Sequence, residues 1–128
     1  MENLVIDATT SSPRVEFDAQ RGLLRLSGES YPENSFEFYE PILQWVRGFL
    51  ESGDGPVTLE LRMAYLNTSS IKSLMDLLDD LEEAHRSGRA VTVHWHYDQE
   101  NDRARELAED FREDLTLPFF MVPAPMGA

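Results

Sequence analysis

A chain of 128 residues is sized for one domain, and 41% hydrophobic with 10% aromatic content suffices for a packed core, which excludes wholesale disorder. It has no cysteine, which removes disulfides, thiolate chemistry and cysteine-ligated zinc or iron–sulfur centres. Twenty-four acidic against eleven basic residues give a net charge of −13, a field that repels nucleic-acid backbones and anionic membranes, so no nucleic-acid or membrane partner is expected.

Met1–Thr10 carries Glu2 and Asp7, with no basic start and no long apolar run, so it reads as neither a signal peptide nor a span. A cytoplasmic location is the expectation. The first dozen residues are polar, predicting a loose start or a short edge strand at Leu4–Ile6. Val15–Phe17 and Leu23–Ser27 flank the turn residues Asp18–Gly22, predicting a hairpin. Gly28–Asn34, punctuated by Pro32, reads as a loop.

Asn34 or Ser35 then caps a first helix whose apolar stripe is Phe38, Ile42, Trp45, Val46, Phe49 and Leu50. Pro41 suits only the start of that helix or a kink, because it lacks an amide proton. Ser52–Pro56 stops it. Val57–Met63 alternates like a strand, and Ala64–Asn67 connects it to a second helix from about Thr68 to Ser87, ended by Gly88. The apolar side of that helix is Ile71, Leu74, Met75, Leu77, Leu78, Leu81 and Ala84. Ser73 and the run Asp76, Asp79, Asp80, Glu82, Glu83 read as its solvated side.

Ala90–Tyr97 is a strand with Val91, Val93, Trp95 and Tyr97 on one face and Thr92, His94 and His96 on the other. A third helix, roughly Asn101–Glu113, turns Ala104, Leu107, Ala108 and Phe111 inward. Leu117–Val122 looks like a last edge strand, leaving 123–128 as a tail. The order β-β-β-α-β-α-β-α-β predicts one α/β domain over 1–128, with a mixed sheet and three main helices.

At Leu66–Ile71 a core strand hands over to a helix start, the place where open α/β sheets form sites. Asn67, Thr68, Ser69 and Ser70 crowd the first turn, and capping alone accounts for those residue types. Their arrangement resembles the anti-sigma-factor antagonist (STAS) domains, where a phosphorylatable serine opens a helix after a core strand. Here Asn67-Thr68-Ser69-Ser70 stands where those domains often read Asp-Ser-Ser-Gly. Gly28–Ser35, Tyr65–Lys72 and Trp95–Asp98 are similar to segments of the SiaC family of regulatory phosphoproteins, whose fold is STAS-like, and the resemblance runs from about Pro13 to Pro118.

That resemblance implies a non-enzymatic switch with a phosphoacceptor at Thr68. Asn67, Ser69, Ser70 and Lys72 would flank it, and Tyr31, Glu33, Asn34 and Tyr65 are candidate partner contacts. It implies a dedicated protein kinase, a PP2C-type phosphatase and a diguanylate cyclase as partners. The dephosphorylated form would bind and promote the cyclase, linking the switch to cyclic-di-GMP signalling and biofilm formation. No catalytic residue, cofactor or metal is implied.

A phosphate at Thr68 would add about 1.5 to 2 negative charges at a helix N-terminus, where free amides and the dipole tolerate it. Lys72, one turn on, could pair with it, but an ordinary ion pair with Asp76 suits the unmodified chain better. Ser69 and Ser70 are the neighbouring hydroxyls, expected to cap or contact rather than accept. Two rival readings stand beside the switch. One is a small metal-dependent enzyme built on His94, His96 and Asp98, with His85 nearby in sequence. The other is a constitutive STAS-like adaptor in which Thr68 only caps a helix.

Overall fold

A computed structural model describes residues 1–125. The chain runs β1 (Leu4–Ile6), β2 (Arg14–Asp18), β3 (Leu23–Ser30), α1 (Ser35–Ser52), β4 (Val57–Leu66), α2 (Thr68–Arg86), β5 (Val91–Asp98), α3 (Asp102–Glu113) and β6 (Phe119–Ala124). The six strands lie in one sheet in sequence order. β1, β2 and β3 pair antiparallel, and β3, β4, β5 and β6 pair parallel. This is the mixed α/β architecture and element order expected from the alternation of strand and helix patterns.

Strands laid down in order with right-handed crossovers place every connecting helix on the same side. The burial agrees. Alternate strand residues (Val15, Phe17, Leu24, Leu26, Leu59, Leu61, Val93 and Trp95) join Ile42, Val46, Leu74, Leu78 and Phe111 of the helices in one core. The intervening positions form a polar outer face, where Arg25 pairs with Glu60 at 2.8 Å.

Several boundaries differ from the sequence expectation. β3 does not stop at Ser27 but continues to Ser30, and β4 runs to Leu66, because the two strands keep pairing past a bulge at Gly28/Glu29. Gly28 takes φ +115 there, a conformation that favours glycine. Pro41 lies inside α1 rather than in its first turn, on an exposed face where the unpaired Glu37 carbonyl can meet water. Pro123 and Ala124, expected in a tail, belong to β6, whose edge position tolerates proline. The remainder of that tail, 126–128, lies outside the described residues.

Gly22 closes the β2–β3 turn at φ +63, and a Cβ there would strike the Pro56 carbonyl. Its own carbonyl accepts from the Thr58 amide at 2.8 Å. Gly22→Ala should therefore cost about 2–3 kcal/mol through strain and clash, lowering the thermal midpoint by about 10 °C. An unchanged midpoint contradicts this reading of the turn.

The solvated acidic run on α2 contains one exception. Glu82 is 7% exposed and holds the α3–β6 connection. Its carboxylate accepts from the Thr116 amide (2.8 Å), the Thr116 hydroxyl (2.6 Å), the Leu117 amide (3.0 Å) and Arg86 Nε (2.8 Å). Burial pushes its pKa up, but these hydrogen bonds outweigh burial and hold it at about 2. Ser73 is also buried rather than solvated, while Met75, expected inside, is exposed.

Candidate functional site

The C-terminal ends of β3, β4 and β5 share one edge of the sheet, and a helix begins just beyond each. All three helices start the same way. Asn34, Asn67 and Asn101 each present a side-chain oxygen to the third helical amide, of Glu37, Ser70 and Ala104 respectively, at 2.9–3.1 Å. Asn67 is thus the N-cap of α2 and Thr68 its first residue.

The three hydroxyls that follow Asn67 have different fates. Ser70 is fully buried, with its Oγ 2.8 Å from Ser30 Oγ and 3.3 Å from Ser35 Oγ. Ser30 Oγ continues to the Tyr39 hydroxyl at 2.7 Å, and Tyr39 is itself buried, which raises its pKa. Ser69 is exposed, yet its Oγ lies 2.8 Å from Ser35 Oγ and also donates to Asn67 Oδ1 at 3.3 Å. Only Thr68 stays out of this chain of bonds. It is exposed, at the mouth of α2.

The hydroxyl chain has a structural consequence. Ser35 opens α1 and Ser69–Ser70 lie in the first turn of α2, so these bonds fasten two helix N-termini side by side. The Asn67 amide adds to the fastening by donating to the Ser30 carbonyl at 2.9 Å. A change at Thr68 therefore meets a rigid platform rather than a loose loop.

Around Thr68 the aromatic residues divide. Tyr31 and Tyr65 meet edge to face with centroids 5.9 Å apart, and they remain 42% and 54% exposed. Phe36 is 73% exposed, whereas Tyr39 is core and Phe38 half-buried. Glu33 is exposed, and Asn34 is occupied as the cap of α1. Lys72 is exposed but forms no ion pair among the described residues, so the expected bond to Asp76 is not made. A surface pair of that kind repays little of the entropy of holding a lysine still.

The histidine reading fares differently. His94 stacks on Phe120 with centroids 5.4 Å apart, and Asp98 Oδ1 accepts from the Glu100 amide at 3.0 Å. Burial, then the neighbouring Arg62, lowers the pKa of His96. Among the described residues no group of three or more His, Asp or Glu side chains is placed to hold a metal ion. Among these residues His94, His96 and Asp98 are not brought together as a ligand set. His94 and His96 are instead members of the sheet's polar outer face.

The family model for the SiaC family of regulatory phosphoproteins matches residues 6–124. The chain belongs to that family. A relative in Pseudomonas aeruginosa, an uncharacterized protein, is 53% identical over 119 residues, covering 93% of this chain and 94% of its own length. The solved structure of SiaC of Pseudomonas aeruginosa is 50% identical with a TM-score of 0.91, covering 97% of this chain and 100% of that one. A second solved structure holds SiaC of the same organism, described as an activator, in complex with the diguanylate cyclase SiaD. Its match has a TM-score of 0.92 and 51% identity, covering 94% of this chain and 99% of that one.

Membership in the SiaC family accords with a site made of caps and hydroxyls rather than of catalytic pairs. Sequence reasoning missed Ser30, Ser35 and Tyr39 as parts of the platform, and it left Ser70 only as a neighbour of Thr68. A signal for Ser70 was present: it falls one turn before Leu74 on the apolar side of α2. No helix of the described residues is long and apolar enough to cross a membrane.

Proposed function

We propose that this chain is a cytoplasmic, non-enzymatic switch whose unphosphorylated form binds and promotes a diguanylate cyclase, and so raises cyclic-di-GMP signalling towards biofilm formation. A partner kinase phosphorylates Thr68 and blocks docking, and a PP2C-type phosphatase restores it. The observation that carries this reading is the exposed Thr68 hydroxyl, which alone of the three in the Thr68–Ser70 run lies outside the bonded chain, at the start of α2 and on the same sheet edge as exposed aromatics. The cyclase complex formed by a 51% identical family member supports the choice of partner.

The chemistry suits a switch. Modification replaces a neutral hydroxyl by about 1.5 to 2 negative charges and three acceptor oxygens. The helix N-terminus accepts that charge without unfolding, so the change falls on whatever docks over it. Asn67, Ser69, Ser70 and Lys72 flank the acceptor. Tyr31 and Tyr65, with Glu33 and Asn34 on the adjoining turn, form the docking surface, since large aromatic side chains dominate interface energetics.

Intact-mass measurement after incubation with magnesium-ATP and the partner kinase tests the acceptor. One phosphate is expected on the unaltered chain and none on Thr68→Ala; undiminished phosphate on the variant refutes the assignment. For the docking surface, Tyr31→Ala with Tyr65→Ala should weaken cyclase binding by about 2–4 kcal/mol with the fold intact. Unaltered affinity would move the interface elsewhere.

A further inference from the structure

We propose that Ser35, on a different helix from Thr68, decides which hydroxyl of the Thr68-Ser69-Ser70 run is modified, by holding Ser69 out of reach. This rests on the reading of Thr68 as a phosphoacceptor. Exposure alone does not single out Thr68, because Ser69 is exposed as well. What separates them is bonding. Ser69 Oγ is 2.8 Å from Ser35 Oγ and points its proton at Asn67 Oδ1. Ser35 is itself 4% exposed and held near Ser70, so it is a fixed partner and not a mobile one.

Phosphoryl transfer needs an acceptor oxygen that can turn in line with the γ-phosphorus of a nucleoside triphosphate held by the kinase. The new bond joins that oxygen to phosphorus as the bond to the β–γ bridging oxygen breaks. The nucleoside diphosphate leaves, and the hydroxyl proton passes to a carboxylate base of the kinase. Ser69 must first give up its bond to Ser35 and rotate outward, whereas Thr68 has no such bond to break. Ser70 is excluded outright by burial. Ser35 is thus a positioning residue for the modification, acting through Ser69.

The test uses the full chain, magnesium-ATP and the kinase that modifies the unaltered protein, with the phosphosite mapped by fragmentation mass spectrometry. The unaltered chain takes phosphate at Thr68 and Thr68→Ala takes essentially none. Adding Ser35→Ala to Thr68→Ala should raise phosphate at Ser69 about ten-fold, equivalent to about 1.4 kcal/mol, the scale of one neutral hydrogen bond. Ser35→Thr, which keeps a hydroxyl, should restore silence at Ser69. Ser35→Cys, which keeps the volume and bonds weakly, should repeat the alanine result and serves if the alanine variant does not fold. Phosphate at Thr68 in the unaltered chain, with Ser69 still bare in the folded double variants, overturns the role of Ser35 alone. Absence of phosphate at Thr68 in the unaltered chain overturns the switch reading beneath it.

Discussion

Replacing Glu82 by alanine should destabilise the fold by about 3 kcal/mol, although the residue sits in what reads as a solvated acidic run. Its carboxylate satisfies two backbone amides, one hydroxyl and one guanidinium across the junction of α2 with the α3–β6 connection. Alanine leaves the Thr116 and Leu117 amides without acceptors beside the buried Leu117 side chain. Ordering of β6, which follows directly, should suffer first.

The same group sets an acid limit. Its pKa in the fold is about 2 against an ordinary 4.5, a depressed value. Stabilisation from a depressed carboxyl is complete above the unfolded value and drains away as pH falls through the folded one. The window is therefore pH 4.5 down to about 2. A displacement of that size corresponds to about 3 kcal/mol. Glu82→Gln keeps the volume but cannot titrate, and its amide group faces donors. Urea unfolding of both proteins across that window should show the stability gap closing as pH falls. Parallel acid profiles would contradict the account.

Phosphorylation of Thr68 is expected to weaken cyclase binding by about 100-fold or more, equivalent to about 2.7 kcal/mol, while the unfolding midpoint moves little. Two effects act together. A doubly charged group desolvated under a partner without a matching cation costs several kcal/mol. Its volume also prevents the partner from closing over the start of α2. Lys72 is free of ion pairs among the described residues and can turn toward the phosphate, which steadies the modified chain without serving the partner. Thr68→Glu supplies only one charge and no tetrahedral group, so it should weaken binding less than phosphate does.

Periodicity made the three helices, the order of elements along the chain and the mixed character of the sheet legible, because each element carries its own apolar repeat. Caps were legible too, since an asparagine before an apolar-periodic run is a local signal. What local sequence could not supply was information held by distant partners. The extension of β3 through Gly28–Ser30 depends on its register with β4, whose pairing residues lie more than thirty positions away. Glu82 has the residue type of a solvated position, and its acceptor role appears only when Thr116 and Leu117 are brought to it. Ser35 and Ser69 are likewise joined across 34 positions. In α1 the fully buried line is Tyr39, Ile42, Val46 and Phe49, with Phe38, Trp45 and Leu50 packed half-buried beside it, so the stripe was legible and Tyr39 was the member it lacked. The proposal of Thr68 as phosphoacceptor came from a family likeness, not from chemistry legible in Asn67–Ser70 alone.

The most direct measurement is an equilibrium titration of the diguanylate cyclase with three preparations of the chain. These are the unmodified chain, the chain carrying one phosphate mapped to Thr68, and Thr68→Ala after the same kinase treatment. The first and third should bind alike within a few-fold, and the second at least about 100-fold more weakly. Equal binding by the phosphorylated chain would contradict the proposal that Thr68 governs docking.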